Sequence, residues 1–150
     1  MDLLKIEQLF LQLVLETAKI NPAFINWSSE NIAEAVQKYK FKTLRAEEGQ
    51  EFNEIQSMIC YQQNSDFIEI LALGTLKKYQ RRGISEQLLR LFLKECAGAS
   101  KFVTLEVHSQ NQSAIALYSK CGFKIVRTRK NYYSDGADAL VMDLDLQNQL

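Results

Sequence analysis

The sequence predicts a mixed α/β fold, with a mostly antiparallel sheet flanked by helices. Three observations predict it. The hydrophobic period is helical at the start of the chain, becomes strand-like from Lys42 to Leu76, and then changes several times before the end. Such mixing of long helical patterns with consecutive strands implies a sheet covered by helices. At 150 residues, with one proline and no repeat or low-complexity linker, the chain is expected to be a single domain over 1–150.

In order along the chain, Leu3, Ile6, Phe10, Leu13 and Thr17 recur at helical spacing and predict an amphipathic helix. Lys5, Glu7, Glu16 and Lys19 interrupt this leucine-rich stretch, so it is neither a targeting segment nor a membrane span. "NPAFINWSS" reads as a loop, and Ser28 caps a second helix in which Ile32, Val36 and Tyr39 share a face. "KTLRAEE", "FNEIQSMICYQQ" and "FIEILALGTL" then read as consecutive strands, divided by Gly49-Gln50 and by Asn64-Ser65-Asp66. A helix follows from about Ser85 to Gly98, with Leu88, Phe92 and Cys96 as its inner stripe. "KFVTLEV" is a strand and "NQSAIALYSKC" a short helix stopped by Gly122. "FKIVRTRKN" and "DALVMDLDL" close the chain as a hairpin-like pair.

Charge and cysteine content exclude several classes. The formal net charge is zero, so no global basic field invites nucleic acid. Cys60, Cys96 and Cys121 are odd in number, far apart and without metal-ligand spacing. They read as structural thiols in a reducing, cytoplasmic compartment, and no metal is expected.

The chemistry gathers at "LALGTLKKYQRRGIS", where an apolar strand breaks into a cationic, glycine-bearing turn before a helix. A helix N-terminus offers unpaired N–H groups and a positive dipole end. Gly83 lets a ligand approach the backbone, and Arg81 and Arg82 add charge and forked donors. Together they form an anion cradle of pyrophosphate size; the other reading of the same residues is a solvated basic turn. Gly74, inside the strand pattern, marks either a packing glycine or a bulge that would part this strand from its neighbour and expose backbone groups. Further on, Glu106 alternates with Val103, Leu105 and Val107 and so points to the opposite face of its strand.

"YQRRGIS" resembles the Q/R-x-x-G-x-G/A signature of the Gcn5-related N-acetyltransferase (GNAT) superfamily. "LEVHSQNQSAIALYSKCGF" is similar to its second signature, and "RKNYYSDGADALVMDLDL" resembles the closing segment of the branch that acetylates protein N-termini, the ribosomal-protein-alanine type. The resemblance runs from about Leu71 to Leu146, with an echo in "FINWSSENI". It implies the acetyltransferase-like fold and acetyl-CoA as cosubstrate. Leu73, Gly74 and Thr75 would lie along the pantetheine, and Arg81, Arg82, Gly83, Ile84 and Ser85 would wrap the pyrophosphate, with Asn111 as a further cofactor contact. By the same resemblance Glu106 is the proton acceptor, Tyr118 the proton donor to the leaving thiolate, and Tyr132 and Tyr133 line a peptide entrance. His108, two residues beyond Glu106 on the same strand face, is an alternative base.

The chain departs from the pattern in three places. Ser85 stands where glycine or alanine is usual, and its hydroxyl could donate to a phosphate or crowd it. Lys77 stands where a proline often stiffens the turn, and the usual first strand is not visible near the N-terminus. The implied function is direct acetyl transfer to the α-amine of a protein or peptide N-terminus, a ribosomal protein among the possible acceptors, with neither nucleic acid nor membrane as partner. Two alternatives stay open: acetylation of a small amine such as a polyamine or amino-sugar, and a degenerate acyl-CoA-binding regulatory module.

Overall fold

In the computed structural model the described residues are Leu4, Ile6, Gln8 and residues 10–12, 29–45 and 55–147. The expectations placed on Leu3, Leu13 and Thr17, on the 21–28 loop with the Ser28 cap, and on the Gly49-Gln50 break lie outside them. The elements run α1 (Ser29–Lys38), β1 (Lys40–Arg45), β2 (Ile55–Gln63), β3 (Phe67–Thr75), a single 3₁₀ turn (Lys77–Tyr79), α2 (Ile84–Cys96), β4 (Phe102–His108), α3 (Gln112–Lys120), β5 (Lys124–Arg129) and β6 (Ala139–Asp145). Leu4, Ile6, Gln8 and residues 10–12 are helical, so no strand precedes α1 among the described residues.

The six strands form one sheet in the order β1-β2-β3-β4-β6-β5. Every neighbouring pair is antiparallel except β3 and β4. That parallel pair exists because α2 crosses over between them, as a parallel connection requires. The expected mixed, mostly antiparallel sheet is therefore the fold.

Each face of the sheet carries its own core. On one side α2 lays down Leu88, Leu89, Phe92, Leu93 and Cys96 against Ile59, Ile68, Ile70, Val103, Leu105 and Val107. Tyr118 from α3, with Cys121 and Phe123 from the turn after it, extends this layer. On the other side Ile6, Phe10, Ala35 and Val36 pack on Met58, Cys60 and Ala72. The inner stripe expected for α2 is right, and Leu89 and Leu93 widen it as a helix on a sheet demands.

The two cores explain an irregularity in β3. Cys60 pairs with Ala72 but Tyr61 with Ile70, which leaves Leu71 as the extra residue of a β-bulge. Side chains alternate with a period of two, so one inserted residue exchanges the faces. Ile68 and Ile70 thus point to the α2 side, whereas Ala72 joins the opposite core. Of the two readings of Gly74, the bulge does not hold there: the bulge is at Leu71, three residues earlier, and Gly74 keeps regular register opposite Met58. Alternation of apolar residues decides the position, not the glycine.

At the other end of the sheet, all six residues of β5 are exposed, as befits an edge strand that no helix among the described residues covers. Among the described residues no helix is long and apolar enough to cross a membrane, and no group of side chains could hold a metal ion.

Phe92 is 2% exposed and meets the ring of Tyr61 edge-on at 4.8 Å. Phe92→Ala should lower the unfolding free energy by about 3–5 kcal/mol, as buried phenylalanine truncations do. Urea unfolding followed by circular dichroism measures this; a loss below about 1 kcal/mol would mean that α2 does not anchor the sheet as described.

Candidate active site

The site begins where β3 and β4 separate. Their parallel register covers only Phe67–Phe102, Ile68–Val103, Glu69–Thr104 and Ile70–Leu105. Beyond it, at the Leu71 bulge, residues 71–75 of β3 continue along β2 without pairing to β4. Apart from the Thr75 carbonyl, which the Gln80 side chain engages at 3.0 Å, the facing edge of β3 carries no ladder to β4 among the described residues and can take an extended, amide-bearing ligand as an added strand. Glu106 is the first β4 residue past the last pair, so it stands at the split.

One mouth of the split is the turn into α2. Tyr79 N–H donates to the Leu76 carbonyl at 2.8 Å and Gln80 N–H to that of Lys77 at 3.2 Å, closing the turn that lacks a proline at Lys77. Arg81 and Gly83 both adopt left-handed backbone conformations, at φ +60° and +75°. Only Gly83 does so without side-chain strain. The first N–H to bond within the helix is that of Gln87, to the Gly83 carbonyl at 2.9 Å, so the N–H groups of Ile84, Ser85 and Glu86 have no intrahelical partner. A Cβ at Gly83 would meet nothing within 4 Å. Open space, orphan donors and a dipole end thus coincide, which is the donor set an anionic phosphate requires.

A groove of about 320 Å3 runs from here between α2 and α3, lined by Arg81, Gly83, Ser85, Ser113, Leu117 and Lys120 among others. Arg82 is exposed and is not among its lining residues. Glu86 also faces the groove, where Lys120 and then Arg90 hold its carboxyl below the ordinary carboxylate range. The Lys120 bond is 2.7 Å and the Arg90 bond 3.0 Å. These cations offset the one acidic side chain that would repel an anion. Asn111 caps α3, its Oδ1 accepting from Ala114 N–H at 3.2 Å, so its amide nitrogen is the group that could reach a ligand.

Behind the cradle lies a chain of hydroxyls. Thr75 Oγ1 donates to Ser57 Oγ at 2.8 Å, and Ser57 Oγ donates to the Gly74 carbonyl at 2.9 Å. Each hydroxyl has one proton, so Ser85, 2.6 Å from Thr75 Oγ1, must donate to it. Ser85 therefore directs its proton inward and presents only lone pairs toward the groove, which disfavours the first of the two readings of its hydroxyl, donation to a phosphate. The Gln80 side chain adds a bond to the Thr75 carbonyl at 3.0 Å. Leu73 packs its side chain on the α2-side core and leaves its backbone to the split.

At the other mouth stand Glu106 and the loop after β5. Glu106 Oε1 accepts from Arg129 Nη1 at 2.6 Å. Arg129 reaches across β6 at Ala139, which the register places between Arg129 and His108 and which is small enough to allow it. The guanidinium also lies 3.9 Å from the centre of the Tyr132 ring. Tyr132, 45% exposed, meets Tyr133 edge-on at 5.1 Å. Burial, then Glu106, pushes the Tyr133 phenol up to about 12. Tyr118 is buried in the α2-side core, and its phenol is held well above the ordinary value by burial first and Tyr133 next. His108 is not free to act as a base: Asp135 engages Nε2 at 2.8 Å and Gln110 N–H engages Nδ1 at 3.1 Å.

The geometry has counterparts among known proteins. A family model described as "Acetyltransferase (GNAT) family" matches residues 12–123, a span that includes the split, the Gly83 turn and Tyr118. The chain belongs to the acetyltransferase (GNAT) family. It is 37% identical over 106 residues to N-alpha-acetyltransferase 50 of Danio rerio, covering 65% of this chain and 63% of that protein. It is 42% identical over 78 residues to N-alpha-acetyltransferase RimI of Mycobacterium tuberculosis, covering 51% of this chain and 48% of the relative. The match thus spans less than two thirds of each relative. Among solved structures, the ribosomal-protein-S18-alanine N-acetyltransferase from Escherichia coli superposes with a TM-score of 0.69 at 29% identity, covering 80% of this chain and 77% of that one.

Sequence reasoning about this GNAT-family chain misses Ser57, Arg129, Lys120 and Asp135. Ser57, fully buried within the apolar run "IQSMIC", is a signal that a partner waits for it. Arg129 gives no signal, because the Val126 bulge that sets the facing of β5 is not visible in "KIVRTR".

Thr75→Val keeps the shape but breaks the hydroxyl chain, leaving buried Ser57 without its donor. It should cost about 1–3 kcal/mol in chemical denaturation, the penalty of an unsatisfied buried group, and Thr75→Ser should restore most of it. Equal stability of the Val and Ser variants would contradict the chain.

Proposed function

We propose that the chain is an acetyl-CoA-dependent N-acetyltransferase whose acceptor is the α-amine of a protein N-terminus, ribosomal proteins included. One observation supports the reading: β3 and β4 part between the turn that carries the Gly83 anion cradle and Glu106, the first β4 residue past the last pair. The names of the similar proteins support an N-terminal acceptor. The buried, unpaired thiols of Cys60, Cys96 and Cys121 support a reducing, cytoplasmic setting.

The residues present fit the cosubstrate. The N–H groups of Ile84, Ser85 and Glu86, with Arg81, would hold the pyrophosphate, and the free edge of residues 71–75 would pair with the pantetheine amides. Asn111 would add a donor from the head of α3. Acetyl-CoA supplies the acyl group as a thioester. Glu106 would take the acceptor proton directly or through water, with Arg129 fixing the orientation of its carboxylate. Tyr118 would donate a hydrogen bond to the departing sulfur. Its raised pKa keeps it protonated and makes full transfer to a thiolate uphill, so stabilisation is its main contribution. Burial raises Cys96 to about 12 and pushes Cys121 up as well, which argues against an acyl-cysteine intermediate and for direct transfer.

Acceptor choice follows from proton affinity. An α-amine near pKa ~8 is far easier to deprotonate at neutral pH than a lysine near ~10.4, a difference of roughly 3 kcal/mol. One carboxylate base suits the easier amine, and Tyr132 and Tyr133 would shape the entrance for a peptide. A peptide with a free N-terminus should therefore outperform the same peptide blocked and carrying lysine. Tyr118→Phe should lower kcat by at least about tenfold with acetyl-CoA affinity nearly unchanged. Glu106→Gln should lose most below pH ~8, where the amine arrives protonated. Initial rates across pH with both acceptors decide this; preference for polyamines or amino-sugars would replace the N-terminal acceptor by a small amine.

A further inference from the structure

His108 is 1% exposed, carries a titratable ring, and takes no part in the chemistry above. Its surroundings are unusually specific. Nδ1 accepts the N–H of Gln110 at 3.1 Å, so this nitrogen is unprotonated and the proton is on Nε2. Nε2–H then donates to Asp135 Oδ2 at 2.8 Å. The other oxygen of Asp135 accepts Ala137 N–H at 2.9 Å, which holds the carboxylate from a second side. The Tyr133 ring packs on the imidazole at 4.7 Å between centroids, and Tyr133 N–H donates to the Ala137 carbonyl at 3.0 Å.

The same residue organises the start of α3. Its carbonyl accepts Asn111 N–H at 2.9 Å, and Asn111 in turn caps the helix that carries Tyr118. The neighbouring Ser109 N–H donates to the Asp138 carbonyl at 2.9 Å, a second tie between the two segments. A flat ring with an acceptor on one edge and a donor on the other is what this place demands.

We propose that His108 is a positioning residue, a buried strut that fixes the 130–138 loop, with Tyr132 and Tyr133, relative to the turn that heads α3. This rests on the reading of that loop as the acceptor entrance. The strut sets where the acceptor backbone lies relative to Glu106 and Tyr118, while the Gly83 cradle lies outside it. Loss of the Asp135 tie should therefore impair acceptor binding and leave the cosubstrate alone. Asp135 is half-exposed, so its replacement spares the core.

The test uses the full chain with Asp135→Ala and Asp135→Asn. Asp135→Ala should raise KM for an N-terminal acceptor peptide about tenfold, the factor carried by one lost hydrogen bond to a charged group. The Kd for acetyl-CoA should stay within about twofold, and Asp135→Asn, which still offers an oxygen to Nε2–H, should recover most of the KM. Nitrogen-15 NMR of the imidazole should show the Nε2–H tautomer in the unaltered protein, with Nε2–H exchange accelerated in Asp135→Ala. An unchanged peptide KM, a parallel rise in acetyl-CoA Kd, or an Nδ1–H tautomer would each overturn the strut. If the unaltered protein acetylates spermidine and no peptide, the N-terminal acceptor reading fails instead. The strut is then judged on spermidine KM in the same variants: a rise in Asp135→Ala supports it and an unchanged value overturns it.

Discussion

The parting of β3 from β4 after four paired residues is the constraint on which the rest depends. It arises from packing. The sheet is covered on both faces around β3, so this strand must feed Ile68 and Ile70 to one core and Ala72 to the other. A regular strand cannot do so with these three residues, all of one parity. The Leu71 bulge resolves the conflict, and the ladder to β4 stops there. A feature of hydrophobic packing thus creates an unpaired backbone edge in the middle of a sheet, where one would otherwise be costly to expose.

Each mouth of that opening is held by polar contacts of a different kind. On the cradle side the hydroxyls of Ser85, Thr75 and Ser57 form a largely buried, directional chain ending at the Gly74 carbonyl. Buried networks of this sort are costly to interrupt, so they tie the helix N-terminus rigidly to the free edge. Beside the loop after β5 the Glu106–Arg129 pair is partly exposed, at 26% and 43%. Such pairs contribute only about 0–1 kcal/mol, so its consequence is orientation of the carboxylate and not stability. Tyr133 packs its ring on His108 at 4.7 Å between centroids, and after burial it adds to what holds the Tyr118 phenol above its ordinary value.

Much of this is legible in the sequence. Period changes locate the strands and helices, and Leu88, Phe92 and Cys96 lie on the inner face of α2 as their spacing implies. The motif residues at the turn into α2 and the head of α3 are easily placed because what they do in the fold depends on local backbone. Gly83 needs its left-handed φ and Asn111 caps its own helix, and both are local facts. What the sequence hides is set by tertiary register. Gly74 draws attention to a bulge that two opposing cores place at Leu71. Arg129 reaches Glu106 only because a second bulge faces it inward across Ala139. Ser85 looks like a phosphate donor in the sequence because its buried partners, Thr75 and Ser57, come from neighbouring strands.

Backbone hydrogen exchange with and without acetyl-CoA tests the role of the split most directly. New protection should be confined to residues 71–75 and to the amides of residues 83–86, with little change in β1 or β5. Protection that instead appears at the C-terminal end of α2, around the groove lined by Leu93, Ala97 and Leu146, would contradict a cosubstrate seated in the split. So would residues 71–75 that exchange at the same rate with and without the cosubstrate.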